Sequence, residues 1–231
     1  MILHEGYNYA RNFFNANNAA TYDYVVSFAT LGRDKMWKIQ IAKIIGKGKS
    51  IPTTILDLAA GTGILSSMLD QGSCTTTVHS LDLTLDYLKK AKEKHPTLSL
   101  INSTAEILPF RPETFDSIVS SYLAKYVDIE TVIQESWRVL KHDGVIVFHD
   151  FTVPSGPVIE KFWKFHFQVL RLSGRLLKEW APTFNRLDTL IFKTNPWPDD
   201  AIRYLRKAGF VKSSYKRHTL GTSAIVSARK P

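Results

Sequence analysis

The stretch Thr54-Ile55-Leu56-Asp57-Leu58-Ala59-Ala60-Gly61-Thr62-Gly63 constrains this chain more than any other. An apolar strand carrying one acid runs into a bend with two glycines, and a helical pattern over 64–70 follows. A second strand over 77–81 ends on another acid, Asp82, 19 residues beyond Gly63. Further strand-sized apolar runs at 98–101, 115–120 and 145–150 alternate with helical patterns at 85–94 and 129–140. That alternation builds βαβ units on a parallel sheet. The turn 141–144 closes the last of these helices with a glycine just past its end. Farther on, a helix over 199–207 precedes alternating segments at 210–215 and 222–227, which read as an antiparallel hairpin at the sheet edge. A length of 231 residues suits one large domain with a small appendage.

The bend is chemically specific. Gly61 and Gly63 permit a tight turn and let a ligand approach the backbone. A carboxylate at Asp82 can accept hydrogen bonds from both ribose hydroxyls of a nucleoside cofactor. A nicotinamide dinucleotide site asks for a third glycine to pack helix against strand, and this chain has Ser66 there. Asp57 would repel a pyrophosphate but suits a ligand with an ammonium and a sulfonium. S-adenosylmethionine carries both and has no phosphate. An ordinary βα turn with capping acids would explain the glycines but not acids on two successive strands. A nicotinamide oxidoreductase is disfavoured by Asp57 and Ser66.

With these motifs the chain resembles class I methyltransferases that use S-adenosylmethionine, and among them the family that C-methylates quinone precursors. Asp57-Leu58-Ala59-Ala60-Gly61-Thr62-Gly63 is similar to that family's glycine motif, and Leu81-Asp82-Leu83-Thr84 to its ribose motif. Tyr22-Asp23, Ser27-Phe28 and the segment from Asp34 to Lys38 resemble its N-terminal region. Thr104-Ala105-Glu106-Ile107-Leu108-Pro109-Phe110, then Phe115-Asp116, look like its adenine-side loop and fourth strand. Trp137-Arg138-Val139-Leu140 through Gly144, then Asp150-Phe151-Thr152-Val153-Pro154, are similar to its fifth-strand region. The resemblance implies an α/β Rossmann-like fold: a seven-stranded sheet of order 3-2-1-4-5-7-6 with helices on both faces. It implies cofactor contacts as well. Thr62 and the backbone of Gly61 and Gly63 would lie near methionine, with Asp57 and Ala59 in the same motif. Asp82 with Leu83 would hold ribose, Thr104 and Ala105 would flank adenine, and Ser121 would follow strand four. The chain departs from the family at Thr104, where an Asp is usual, and at Lys125-Tyr126, where the family has Arg-Asn. Lysine keeps the charge but loses the planar fork.

Methyl transfer from a sulfonium is an in-line displacement needing donor carbon and nucleophile about 3–3.5 Å apart. For a quinol ring carbon, Lys125 is the candidate cation for the phenolate, and Tyr126 beside it is a further candidate catalytic residue, or else a pocket wall. Tyr22 and His149 are candidate proton relays. The substrate expected is a small, hydrophobic aromatic or quinol. The alternatives are small-molecule O-methylation, RNA methylation, or a binding module of the same fold without turnover. Nucleic acid is an unfavoured partner: Ser120-Ser121-Tyr122-Leu123 lacks the Asn/Asp-Pro-Pro-aromatic turn of base N-methylation, and Cys74 falls before strand two, away from the site.

Residues 1–46, rich in Asn, Tyr and Phe, are expected as an N-terminal helical cap packed against one end of the sheet. The methyltransferase domain would span 47–231 with an amphipathic helical insertion over 156–195. In that insertion Phe162, Phe165, Val169, Leu172, Leu176 and Trp180 recur at helical spacing beside Lys161, Lys164, Arg171, Arg175 and Lys178. The apolar row would cover a greasy acceptor, and the basic row would face anionic lipid. The net charge of +9 comes entirely from the last third, since residues 151–231 carry 15 basic and 5 acidic side chains. A single cysteine excludes an internal disulfide and points to a reducing cytosol. Scattered histidines give no metal-ligand spacing, so no metal is expected. The start Met1-Ile2-Leu3-His4-Glu5 lacks a secretory pattern, and no apolar run reaches the ~20 residues of a membrane span. The expectation is a cytoplasmic protein, with peripheral contact at the cytoplasmic membrane face and homodimerisation left open.

Overall fold

The computed structural model describes residues 9–46, 52–72 and 75–231. Cys74, His4 and the expected domain boundary at 46/47 lie at or beyond the edges of the described residues. The strands are β1 (Thr54–Leu58), β2 (Thr77–Asp82), β3 (Ser99–Asn102), β4 (Phe115–Ser121), β5 (Leu140–Phe151), β6 (Val211–His218) and β7 (Ser223–Arg229). They form one seven-stranded sheet of order β3-β2-β1-β4-β5-β7-β6, the order the resemblance implied. Strands β1 to β5 are mutually parallel, and β7 runs antiparallel to both neighbours. The chain order reverses between β1 and β4, so a crevice opens beyond their carboxyl ends, where ligands of open α/β sheets bind.

Period-two alternation sorts the strand residues between two cores. Leu56, Leu58, Ile118 and Phe148 face α6 (Ile129–Val139) and α10 (Trp197–Lys207), around Ile133, Trp197 and Leu205. Ile55, Val78, Val119 and Val147 face α3 (Arg33–Ile45) and α4 (Ile64–Asp70), around Ile41, Leu65 and Leu69. Helix α5 (Leu85–Lys94) packs on β2 and β3. A third core lies off the sheet and joins Phe13 and Val25 to Phe167, Leu170, Trp180, Phe184 and Ile191.

Three expectations are corrected here. Within the expected cap the described residues 9–46 divide: α1 (Ala16–Ala19) and α2 (Tyr22–Ala29) precede the crevice, but α3 belongs to the sheet's own layer. Segment 141–144 is no plain turn; it bulges within β5, between the pairs Phe115↔Leu140 and Ser117↔Val145. Gly144 is required there, because a Cβ would lie 2.6 Å from Leu140 Cγ.

The third correction concerns the insertion. Helix α7 (Pro157–Ser173) stops well short of residue 180. Gly174 passes so close to Ala181 that a Cβ would sit 3.1 Å from its Cα. The chain then folds back through a 3-10 turn (Lys178–Trp180), α8 (Ala181–Phe184) and α9 (Leu187–Lys193). Helix α7 also packs by a different face. Phe167 and Leu170 are buried, whereas Phe162, Phe165, Val169, Leu172 and Leu176 are exposed; Trp180 alone of the expected row reaches the core. Apolar residues occupy two separate arcs of this helix, and periodicity cannot choose between them.

Candidate active site

One cavity lies over the carboxyl ends of β1, β2 and β4, with about 1150 Å³ of empty space counting its mouth. Its first half is a nucleoside-sized trough. Ala59, Gly61, Asp82, Leu83, Thr84, Thr104, Ala105, Glu106 and Ser121 line it. Asp82 sits at the hinge of this wall. Its Oδ2 accepts the Gly61 N–H at 2.8 Å, and its Oδ1 accepts the Thr84 N–H at 2.7 Å. The carboxylate therefore shapes the glycine bend and the end of β2 together. Each oxygen retains a lone pair for a further donor. Burial pushes the Asp82 carboxyl above its ordinary range, opposed by those two backbone donors.

Two wall residues are held in the left-handed region without being glycine: Ala59 at φ +60° and Tyr122 at φ +69°. Each costs roughly 1–2 kcal/mol relative to a relaxed backbone. They lie just beyond β1 and β4, the pair between which the sheet reverses.

The second half is aromatic. Phe14, Tyr22, Tyr87, Tyr126, Phe151 and Trp180 line it, with Val25, Val26, Ala29, Phe184 and Leu187 at the apolar end. Tyr22 sits 5.2 Å from Tyr87 and 5.9 Å from Trp180, ring centroid to centroid. A Cβ on Gly61 would lie 3.8 Å from the Tyr87 ring and 3.9 Å from Tyr22, so these rings roof the glycine bend. Burial raises the Tyr22, Tyr122 and Tyr126 hydroxyls well above their ordinary range and keeps them neutral phenols.

Lys125 closes this chamber. Its Nζ is 2.6 Å from Asp150 Oδ1 and 3.1 Å from the Tyr122 carbonyl oxygen. Tyr126, Tyr122 and Phe151 rings surround it at 4.8, 5.2 and 5.4 Å. Desolvation holds the ammonium below the usual lysine range, against the attraction of Asp150. Asp150 is 1% exposed, and its Oδ2 is buried without a hydrogen-bond partner.

Of the residues singled out from the sequence, the cavity wall gathers Tyr22, Ala59, Gly61, Asp82, Leu83, Thr104, Ala105, Ser121, Lys125 and Tyr126. Asp57, Thr62, Gly63 and His149 stand behind it. Asp57 lies between Leu56 and Leu58, so its side chain points to the opposite face of the sheet. There Ser66 Oγ donates to its Oδ2 at 2.7 Å, and Ser80 Oγ donates to Ser66 at 2.8 Å. This is why a serine occupies the place of a third glycine. Thr62 Oγ1 donates to Asp23 at 2.5 Å, and Lys94 pairs with the same carboxylate at 2.5 Å, tying α2 to the bend and to α5. Gly63 is needed for packing: at φ +81°, a Cβ would lie 3.0 Å from Leu98. His149 is wedged between Ser121 Oγ at 2.8 Å and Ser223 Oγ at 3.1 Å. Burial, with Lys38 and Lys125 nearby, drops its pKa well below the histidine norm, so the ring is a neutral strut between β4 and β7.

The reading of the sequence missed Phe14, Tyr87, Tyr122 and Asp150, whereas Trp180 was expected in the row covering the acceptor and does line the cavity. Asp150 ends β5 as Asp82 ends β2, and the strand-end argument used for one applies to the other. The aromatic roof had a weaker signal, the Tyr- and Phe-rich N-terminal segment. Among the described residues no three His, Cys, Asp or Glu side chains are grouped to hold a metal ion. No helix among them is long and apolar enough to cross a membrane.

Burial pushes the Asp57 carboxyl up to about 7, against the Ser66 hydrogen bond and Lys38. An unfolded Asp titrates near 3.9, so the folded chain holds this proton more tightly. The stabilisation is whole below about pH 4 and is lost as pH rises through 7. Thermal or urea unfolding of the unliganded protein should therefore lose about 1–1.5 kcal/mol from this group between pH 6 and 8.5. Asp57→Asn should remove that slope; equal pH profiles for the two proteins would refute the assignment.

Fold and site together define a class I methyltransferase: a reversed seventh strand, a glycine bend braced by a ribose-side acid, and an aromatic chamber beyond it. The comparisons agree. The chain matches the ubiE/COQ5 methyltransferase family over residues 5–230. It is 31% identical to a demethylmenaquinone methyltransferase of Streptomyces avermitilis, over 90% of this chain and 88% of that one. It is 30% identical to a ubiquinone/menaquinone biosynthesis C-methyltransferase of Desulfotalea psychrophila, over 90% and 85%. The fold is shared with phosphoethanolamine N-methyltransferase 2 of Haemonchus contortus, solved with S-adenosylmethionine, at TM-score 0.68 and 15% identity, over 98% of this chain and 60% of that one. The chain belongs to the ubiE/COQ5 methyltransferase family. It is a methyltransferase, and S-adenosylmethionine is its methyl donor.

Proposed function

We propose that this enzyme methylates a ring carbon of an isoprenoid quinol, a demethylmenaquinol-like acceptor. The observation that carries the reading is the continuity of the cavity: the trough braced by Asp82 opens into an aromatic chamber whose one lysine is buried against Asp150. The relatives named above act on quinone precursors by their names, which supports the same acceptor class.

The trough fits the donor through Asp82 for ribose, the Thr104–Glu106 loop for adenine, and the Tyr22–Tyr87–Trp180 roof over the bend. When bound there, S-adenosylmethionine supplies an electrophilic methyl group on a cationic sulfur. Aromatic faces accommodate a cation without a counter-charge, and exclusion of water strengthens every charge in the chamber. Tyr126 and Phe151 hold the acceptor ring beside Lys125, while Val25, Val26, Ala29 and Leu187 receive the first part of an apolar tail. The Lys125 ammonium favours ionisation of the acceptor hydroxyl and stabilises the phenolate. Electron density then reaches the ring carbon, which would bond the methyl group as the methyl–sulfur bond breaks to leave a neutral thioether. The ring regains aromaticity as its displaced hydrogen leaves as a proton and the ring oxygen is reprotonated. The chamber's phenols stay neutral, so stabilisation of the phenolate falls to Lys125.

Incubation with methyl-labelled S-adenosylmethionine, a reduced demethylated quinone and a lipid extract tests the reading. Label is expected in the quinone fraction. Label confined to RNA or to small hydroxylated metabolites overturns it.

A further inference from the structure

Helix α7 presents three faces. Trp163, Phe167 and Leu170 join the third core. The opposite side carries Val158, Phe162, Phe165, Val169, Leu172 and, just past the helix, Leu176, all exposed, with Phe162 at 70% and Leu176 at 88%. Along one flank of this apolar row run Lys161, Lys164 and Arg171, and Arg175 and Lys178 follow in the chain just past the helix's end. Lys164 pairs with Glu160 and Arg171 with Asp188; Lys161, Arg175 and Lys178 are exposed. His166 Nε2 donates to the Ala29 carbonyl at 2.8 Å, so α7 abuts the end of α2, where Phe28 and Leu31 are exposed as well. The segments lining the apolar end of the cavity, α2 and the stretch from Trp180 to Leu187, pack against the inner face of α7 in the third core.

We infer that the outer face of α7 docks on an anionic phospholipid bilayer. What points there is an exposed apolar row flanked on the same helix by Lys161, Lys164 and Arg171, with Arg175 and Lys178 exposed just beyond it. An apolar face suits acyl chains, and the flanking cations suit lipid phosphates. A second copy of the chain fits less well. Antiparallel pairing of two α7 helices would set basic row against basic row. Parallel pairing would set it against the flank of Phe162, His166 and Ser173, which has no carboxylate to receive it. Docking through this face brings α7, and behind it the segments around the cavity's apolar end, to the acyl layer, where an acceptor of the kind proposed above is dissolved. That benefit rests on the acceptor reading; the docking itself does not.

The test is sedimentation of the whole enzyme with phosphatidylglycerol-containing vesicles and with pure phosphatidylcholine vesicles across a salt titration. Binding to the anionic vesicles, weakening with salt, is expected. Phe162→Ser/Phe165→Ser/Leu172→Ser should lower that binding by about tenfold or more. Lys161→Glu and Arg175→Glu should each weaken it by about fivefold or more. None of these residues lines the cavity, so turnover of a short-chain, water-soluble quinol should match the parent enzyme. Equal, salt-independent binding to both vesicle types, or none to either, overturns the inference. So does a triple variant that binds vesicles normally but passes from dimer to monomer by sedimentation velocity, which would make the face a subunit contact. Vesicle binding is read without turnover, so a wrong acceptor would leave this result standing.

Discussion

Asp82→Ala should weaken S-adenosylmethionine binding by at least about 100-fold in calorimetry. The substitution removes the ribose acceptor and leaves the Gly61 and Thr84 N–H groups without their partner. Each buried donor so stranded costs about 1–3 kcal/mol, and the bend that shapes the trough loses its brace. Asp82→Asn keeps one oxygen and should lose less. The sheet does not depend on this side chain, so far-ultraviolet circular dichroism should be unchanged. Binding within threefold of the parent protein would remove Asp82 from the ribose site.

Lys125→Met should lower the rate of methyl transfer by about 10²–10³ while the affinity for S-adenosylmethionine changes little. That range is what loss of one preorganised stabiliser of a developing oxyanion costs. The single variant also strands the Asp150 carboxylate, and breaking a buried pair destabilises by about 3–5 kcal/mol. Lys125→Met/Asp150→Asn separates the two effects: removing both charges should restore much of the stability and none of the turnover. The pH profile provides a second readout. A cation is required, so transfer persists below the Lys125 pKa and fails as pH rises through it. Desolvation moves that limb below the range of an ordinary lysine. Lys125→Arg stays charged throughout, and the alkaline limb should disappear even where the rate is reduced. Full activity in Lys125→Met would end the phenolate argument.

The parts of this molecule legible in the sequence are those punctuated locally. β1, α4 and α5 fall at 54–58, 64–70 and 85–94 as the pattern gives them, because Gly63, Thr84 and the His95-Pro96 pair mark their ends. The sheet order followed from motif resemblance, since hydrophobic period alone does not say which strand lies beside which. Side-chain direction was harder. Asp57 reads as a ligand for the donor, yet its neighbours Leu56 and Leu58 share the face of α6 and α10, which sends the carboxylate toward Ser66. The alternation was present in the sequence; its consequence depends on which helix covers which face. Helix α7 failed for a related reason, because burial of Phe167 and Leu170 rather than Phe162 and Phe165 is decided by the partner surface. The Lys125–Asp150 pair joins residues 25 positions apart through neighbouring strand ends. No local pattern marks such a pair.

One pairing in the sheet bears on how the molecule is assembled. β5 carries Asp150, yet its outer neighbour β7 comes from residues 223–229, beyond the whole helical insertion and β6. During synthesis on the ribosome β5 therefore waits with an open, hydrogen-bond-hungry edge until that distant segment emerges. Nonsense or frameshift alleles that remove only these last residues would spare every residue lining the cavity and still leave a product prone to edge-to-edge association.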